Sequence, residues 1–245
     1  MEQFEITALL PNLKIFNQQL TITNSTIFAI ITFASILLTF HIITYNNKII
    51  PSYWQSILEE LLIFNRNLIE KNIGQAGLQY FPLIFSLFSS IALTNLLGMI
   101  PYSFTITSHI SVTFSLALTF FIGINLIAFS RHKFQFFGFF LPNGISALLI
   151  PLLVPIELIS YITRVFSLSI RLFANIMSGH TLLKIIAGFT WSMINFGGLW
   201  YILAMFPLLI IIAVTVLELG IALLQAYVFT ILICLYLNDA INLSH

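Results

Sequence analysis

The chain has 245 residues, of which 59% are hydrophobic and only 7% charged, with a mean hydropathy of +1.04. A soluble domain of this length cannot hide so much apolar surface, so the protein is expected to be integral to a membrane. The net charge of +1 and the scattered Lys and Arg exclude a basic nucleic-acid-binding face, and the single cysteine, Cys234, excludes an internal disulfide or a thiolate metal site. Cys234 reads as a small lipid-facing residue.

From the amino terminus, Glu2 and Glu5 precede Lys14, so residues 1–20 lack the basic start of a secretory signal and the Arg-rich character of a transit peptide. The protein is expected to be made where it is inserted. Asn24-Ser25-Thr26 fits a glycosylation acceptor, but it abuts an apolar span and reads as coincidence. A bilayer core needs about 20 apolar residues per helix, and 25–45, 78–100 and 107–129 each supply that without a formal charge.

Between the first two spans, residues 52–73 repeat apolar side chains at helical spacing, from Trp54 and Ile57 to Leu68 and Ile69. Glu59, Glu60, Arg66, Asn67 and Glu70 fill the other faces. This segment is expected to lie on the membrane surface. Pro101-Tyr-Ser predicts a short turn joining the second and third spans. Lys48, Arg66, Lys71, Arg131 and Lys133 then fall on one side, which the positive-inside rule assigns to the cytoplasm or matrix, with the amino terminus facing outward.

Residues 144–187 and 198–242 are each too long for an upright span: 44 helical residues reach about 66 Å, roughly twice the hydrocarbon thickness. Each also carries charge that forbids lipid contact all round. The expected architecture is therefore all-α and polytopic, a single membrane domain with three upright or moderately tilted spans, one amphipathic surface helix and a carboxy-terminal hairpin of two long, strongly tilted helices. Gly197-Gly198 marks the turn, and Pro151, Pro155 and Pro207 are candidate kinks.

Seven positions along a helix return a side chain to within about 20° of its starting direction, so Glu157, Arg164 and Arg171 share a stripe in which Tyr161, Leu168 and Asn175 also fall. On the last helix Glu218, Gln225 and Asp239 share the same register, with Tyr236 between them. His180 is nine positions from Arg171, about 180° around the helix. Glu, His and Asp exchange protons, and Gln, Asn, Ser and Tyr hold water between them. Arginine keeps its charge, so burying Arg171 costs at least about 2.5–3.5 kcal/mol and demands a purpose. It can separate two proton-accessible cavities while forcing a protonated carboxylate to ionise. Arg164 admits a plainer reading as an ion pair with Glu157, and Lys184 as a snorkelling side chain. His41, His109, His132 and His245 read as interfacial or terminal, and His180 has no second ligand at metal spacing in its helix.

The run Ser167-Leu-Ser-Ile-Arg171-Leu-Phe-Ala-Asn175, with Gly179-His180, Glu218 and Gln225-Ala-Tyr-Val-Phe, resembles subunit a of the rotary ATP synthases. Thr94-Asn-Leu-Leu-Gly-Met-Ile-Pro101 and residues 151–188 extend the likeness, which is closest in wording to mitochondrial members from plants, algae or protists. Bacterial and chloroplast members typically carry an acid where His180 stands and a histidine where Glu218 stands. The reciprocal exchange here points to the mitochondrial type, and the Phe-, Ile- and Asn-rich wording suggests an A/T-biased, organellar genome.

The resemblance implies a proton-translocating stator subunit of the inner mitochondrial membrane, with two offset aqueous half-channels. Arg171 would face the carboxylates of a rotating c-ring, with Asn175 and Gln225 beside it and Ser178 in support. His180, Glu218 and Asp239 would line the inlet half-channel and Glu157 the outlet. Partners would be the c-ring, peripheral-stalk and other membrane-sector subunits, the lipid bilayer and a second ATP synthase in a dimer, with no nucleic acid. No cofactor is expected, the proton being the transported ion, and ATP chemistry would lie elsewhere in the complex, since the chain has no phosphate-cradling Gly-x-x-x-x-Gly-Lys-Ser/Thr run. The competing class is a secondary transporter or respiratory-complex membrane subunit, against which stands the lack of an inverted repeat.

Overall fold

The computed structural model describes residues 5–15, 18–45, 51–100, 103–133, 150–198 and 200–241. Expectations resting on Glu2, Lys48, Pro101, residues 144–149, 242 and His245 lie outside the described residues. Within them the architecture is all-α apart from one short hairpin. Six helices run in chain order, α1 (Asn24–Tyr45), α2 (Tyr53–Asn72), α3 (Phe81–Gly98), α4 (Ile110–His132), α5 (Ile150–Phe196) and α6 (Trp200–Ile241). The sequence reading missed the hairpin before α1, in which Ala8–Ile15 pairs antiparallel with Gln18–Thr23. Its return strand runs straight into α1, where the Asn24 amide nitrogen of the side chain donates to the Thr7 hydroxyl at 2.5 Å.

Among the described residues, five stretches are long and apolar enough to cross a membrane, 24–41, 75–98, 110–132, 150–196 and 200–241. Two boundaries move relative to expectation. Residues 75–80 form a 3₁₀ turn before α3, and 106–108 another before α4, so the link between these helices is longer than a three-residue turn. The fold hides its inner residues around α3 and α6, where Ile84, Leu87, Ile91, Phe229, Ile233 and Leu237 are all at most 2% exposed. Cys234 belongs to this core and not to the lipid face: it is fully buried on the inward stripe of α6 that also carries Ala226 and Thr230. Its small side chain lets α6 sit close to its neighbours.

The amphipathic pattern of α2 is used in two ways. Leu68 and Ile69 are buried against the bundle, whereas Trp54 (75% exposed) and Ile57 (53% exposed) leave an apolar flank available to lipid. Phe64 anchors the middle, its ring 6.0 Å from Phe88 of α3 and 5.7 Å from Tyr227 of α6.

α5 has 47 residues and α6 has 42, so at 1.5 Å per residue they run for about 70 and 63 Å, each roughly twice the hydrocarbon thickness. Gly197 and Gly198 turn the chain between them with φ of 69° and 64°, the left-handed region that side-chain-bearing residues avoid. Pro155 and Pro207 lie inside the helices, but Pro151 sits in the first turn of α5, where a proline starts a helix instead of kinking it.

Two contacts fix which ends lie together. Phe28 at the start of α1 meets Phe104 in the α3–α4 connection at 6.1 Å. At the opposite rim, the His132 Nε2 at the end of α4 is 3.1 Å from the Ile241 carbonyl at the end of α6.

Candidate functional site

The polar residues of α5 and α6 meet in an antiparallel order. Gly179 abuts Glu218; the Asn175 side-chain amide donates to the Gln225 Oε1 at 2.9 Å; and the Arg164 guanidinium stands 3.9 Å from the Asp239 carboxylate. Positions descend on one helix as they rise on the other. Arg171 therefore lies between a cluster near residue 179 and a cluster near residue 164, at about 12 Å from the first and about 10 Å from the second along the helix.

The first cluster surrounds a cavity of about 320 Å³ lined by Asn175, Ser178, Gly179, His180, Glu218 and Gln225, together with Met99 just beyond the end of α3. Glu218 is 8% exposed, and neither of its carboxylate oxygens has a hydrogen-bond partner among the described residues. The Gln225 Nε2 is in the same position. Leaving such a group unsatisfied costs about 1–3 kcal/mol, and more for a charged one, so water or a proton belongs here. The volume suffices for several waters. Glycine at 179 makes the seat possible, because a Cβ there would lie 2.8 Å from the Glu218 Cδ. His180 is half-buried and hydrogen-bonds the Gly98 backbone at the end of α3. It lies against α3 and lines the cavity, nine residues and about half a turn around α5 from Arg171.

Arg171 is exposed, on an outward face of α5 with Ser167, Ala174 and Ser178. No salt bridge to it occurs among the described residues. Leu168, four residues from Arg164, turns inward and is 2% exposed, so the stripe drawn from sequence splits: the arginines face out, while Leu168 and half-buried Tyr161 and Asn175 face the neighbouring helices. Four residues advance a helix by 400°, and the extra 40° suffices to cross from the outer face to the inner.

The second cluster gives Arg164 a different partner from the one expected. Arg164 pairs with Asp239 and not with Glu157, and its guanidinium carbon lies 5.8 Å from the Tyr236 ring centroid. Asp239 stands away from the Glu218–His180 cavity: 21 residues separate it from Glu218, about 31 Å along α6, and Arg171 lies at the level between them. The shared heptad register placed both acids on one seam but said nothing of depth. Glu157 is near this end of α5, with its Oε2 buried and unpartnered among the described residues. Tyr161 donates to the Asn125 Oδ1 at 2.8 Å, tying the cluster to α4.

Sequence reasoning missed Asn125, whose signal is a lone amide in the apolar run of α4. It also missed Asn95, which is wholly buried and donates to the Ala222 carbonyl of α6 at 3.3 Å beside the cavity. Gly179 was visible only as part of a motif. Its steric role needs the neighbouring helix.

The family model described as the ATP synthase A chain matches residues 26–238. A protein of Chondrus crispus named ATP synthase subunit a is 50% identical over 243 residues, covering 99% of this chain and 96% of its own length. Proteins of the same name from Marchantia polymorpha and Rhodospirillum rubrum are 47% and 46% identical, each covered over 98% of its length by 99% of this chain. On that coverage and identity, the chain belongs to the ATP synthase A chain family.

Proposed function

We propose that this protein is the proton-translocating stator subunit in the membrane sector of an ATP synthase, working through two half-channels that Arg171 keeps apart. The observation that carries this reading is the order along the α5–α6 hairpin: the Glu218–His180 cavity, then an outward guanidinium without a salt bridge among the described residues, then the Arg164–Asp239–Tyr236 cluster. A permanent cation on a membrane-facing surface requires an anion, and the carboxylates of a rotating c-ring supply it. Small residues around it, Ser167, Ala174 and Ser178, let another helix come close.

In the inlet half-channel, Glu218 and His180 accept protons from water in the cavity, and Asn175 and Gln225 carry the hydrogen-bonded path toward the ring. A ring carboxylate neutralised there leaves Arg171 and turns into lipid. After nearly a full turn, a protonated carboxylate reaches the other side of Arg171 and releases its proton toward Glu157 and Asp239, because the guanidinium favours the ionised form. Each proton crossing 100 mV releases about 2.3 kcal/mol, so a leak past Arg171 would dissipate the gradient without torque. The chain uses no cofactor in this scheme.

The membrane is proposed to be the mitochondrial inner membrane, with residue 24 and the α3–α4 connection on the intermembrane-space side. Support comes from His180 and Glu218 in the mitochondrial arrangement and from Arg131 and Lys133 at the opposite rim. Purification under mild detergent is expected to bring down a ring of small hairpin proteins and a soluble ATPase head. Substrate-dependent flux by the isolated chain, with no such partners, would overturn the proposal.

A further inference from the structure

The connection between α3 and α4 carries more buried polarity than a loop needs. Thr105 is 2% exposed and Thr107 is 6% exposed, yet neither hydroxyl has a hydrogen-bond partner among the described residues. The buried Nε2 of His109 has none either. The Ser108 hydroxyl is satisfied locally, donating to the Thr105 carbonyl at 2.5 Å, as is that of Ser103, which donates to the Leu97 carbonyl at 2.8 Å. His109 is held by stacking on Phe104, with ring centroids 5.2 Å apart and planes 25° from parallel.

These groups adjoin the machinery already described. A Cβ on Gly98 would lie 2.8 Å from the Thr105 Cγ2, so Thr105 packs directly on Gly98. Gly98 is the residue whose backbone holds His180, and the next residue, Met99, lines the Glu218 cavity. The 3₁₀ turn 106–108 also rests against α5. Three unsatisfied polar atoms thus lie within five residues of one another on the rim side of His180, and water is the partner that such a cluster takes.

We propose that Thr105, Thr107 and His109 hold the outer waters of the inlet half-channel, forming a hydrated passage that leads past Gly98 to His180 and Glu218. The threonine hydroxyls and the imidazole are positioning residues: they hold the water chain, along which a proton received at the rim end displaces one at the cavity end, leaving each hydroxyl unchanged. This rests on the half-channel reading above.

The test uses the intact complex reconstituted in liposomes. Thr105→Val with Thr107→Val keeps shape and packing but removes both hydroxyls, and is expected to lower proton-driven ATP synthesis roughly tenfold, equivalent to about 1.4 kcal/mol on the barrier. Thr105→Ser with Thr107→Ser, which keeps the hydroxyls, is expected to restore it. In a Cys234→Ala background, silver ion is expected to block flux through Thr107→Cys and to leave Leu126→Cys, on the lipid-facing surface, untouched. Wild-type synthesis in the double valine variant, or a Thr107→Cys variant as silent to silver as Leu126→Cys, overturns the inference. Ser178→Cys, at the exposed lip of the cavity, separates the two levels. Silver block there with silence at Thr107→Cys removes the outer passage alone, and silence at both removes the half-channel reading with it.

Discussion

The backbone of Gly179 presses against the side chain of Glu218: a Cβ built on the glycine would fall 2.8 Å from the carboxyl carbon and 3.1 Å from the Cγ. The acid is therefore seated by the absence of a side chain on the opposing helix, which brings α5 and α6 together at the cavity. A Gly179→Ala variant cannot keep both the helix contact and the Glu218 rotamer. The expected outcome is an assembled complex whose proton-driven ATP synthesis is reduced about tenfold, the equivalent of 1.4 kcal/mol. Combining it with Glu218→Asp, one methylene shorter, is expected to recover part of the loss. Full activity in the single variant would show that the seat is not restrictive.

Arg171 makes no salt bridge among the described residues, so its replacement leaves no buried acid unpaired and should not harm folding. Arg171→Ala is expected to retain assembly with the ring while abolishing proton-driven synthesis. Arg171→Lys should restore little, because an ammonium is a point charge that sheds its proton far more readily than a guanidinium. Parallel measurement of ring co-purification and of ATP synthesis checks this. Normal synthesis in the alanine variant would refute the assignment.

Glu218→Gln keeps size and hydrogen-bonding capacity but removes the exchangeable proton. If the carboxylate relays protons, flux should fall by at least about a hundredfold, the lower end of what a positioned acid or base contributes. The decline should persist across pH 6–8, since glutamine does not titrate. Unchanged flux over that range would remove Glu218 from the path and leave the cavity a packing defect.

How much of this was legible in the sequence follows from what each signal encodes. The long helices were readable because length and charge content exclude an upright span, and the turn at Gly197-Gly198 because glycine pairs punctuate helices. Periodicity gave the angle of each side chain around its own helix, which placed His180 away from Arg171. It does not give depth: Glu218 and Asp239 share one seam of α6, yet the fold brings Asp239 to Arg164 at 3.9 Å. Nor could it show Asn95 or Gly179, whose roles exist only against α6. Cys234 illustrates the same gap, since an apolar all-round helix such as α6 conceals which face is inside.

The position of Asp239 beside Arg164 makes a sidedness prediction. Its carboxylate and the Arg164 guanidinium are each more than two-fifths exposed, so their pairing adds no more than about 1 kcal/mol and its loss should leave the complex assembled. A cysteine at 239 is therefore a tolerable probe, and one at 178 replaces an exposed serine with a side chain of similar size, both in a background with Cys234 replaced by alanine. The rim shared by His132 and Ile241 lies beside position 239, whereas position 178 opens on the cavity next to Met99. A membrane-impermeant thiol reagent added to one face of sealed vesicles is expected to label only one of the two, and added to the other face, only the other. Labelling of both from the same face would return Asp239 to the inlet path, and would mean that no barrier at Arg171 divides the water-filled ends.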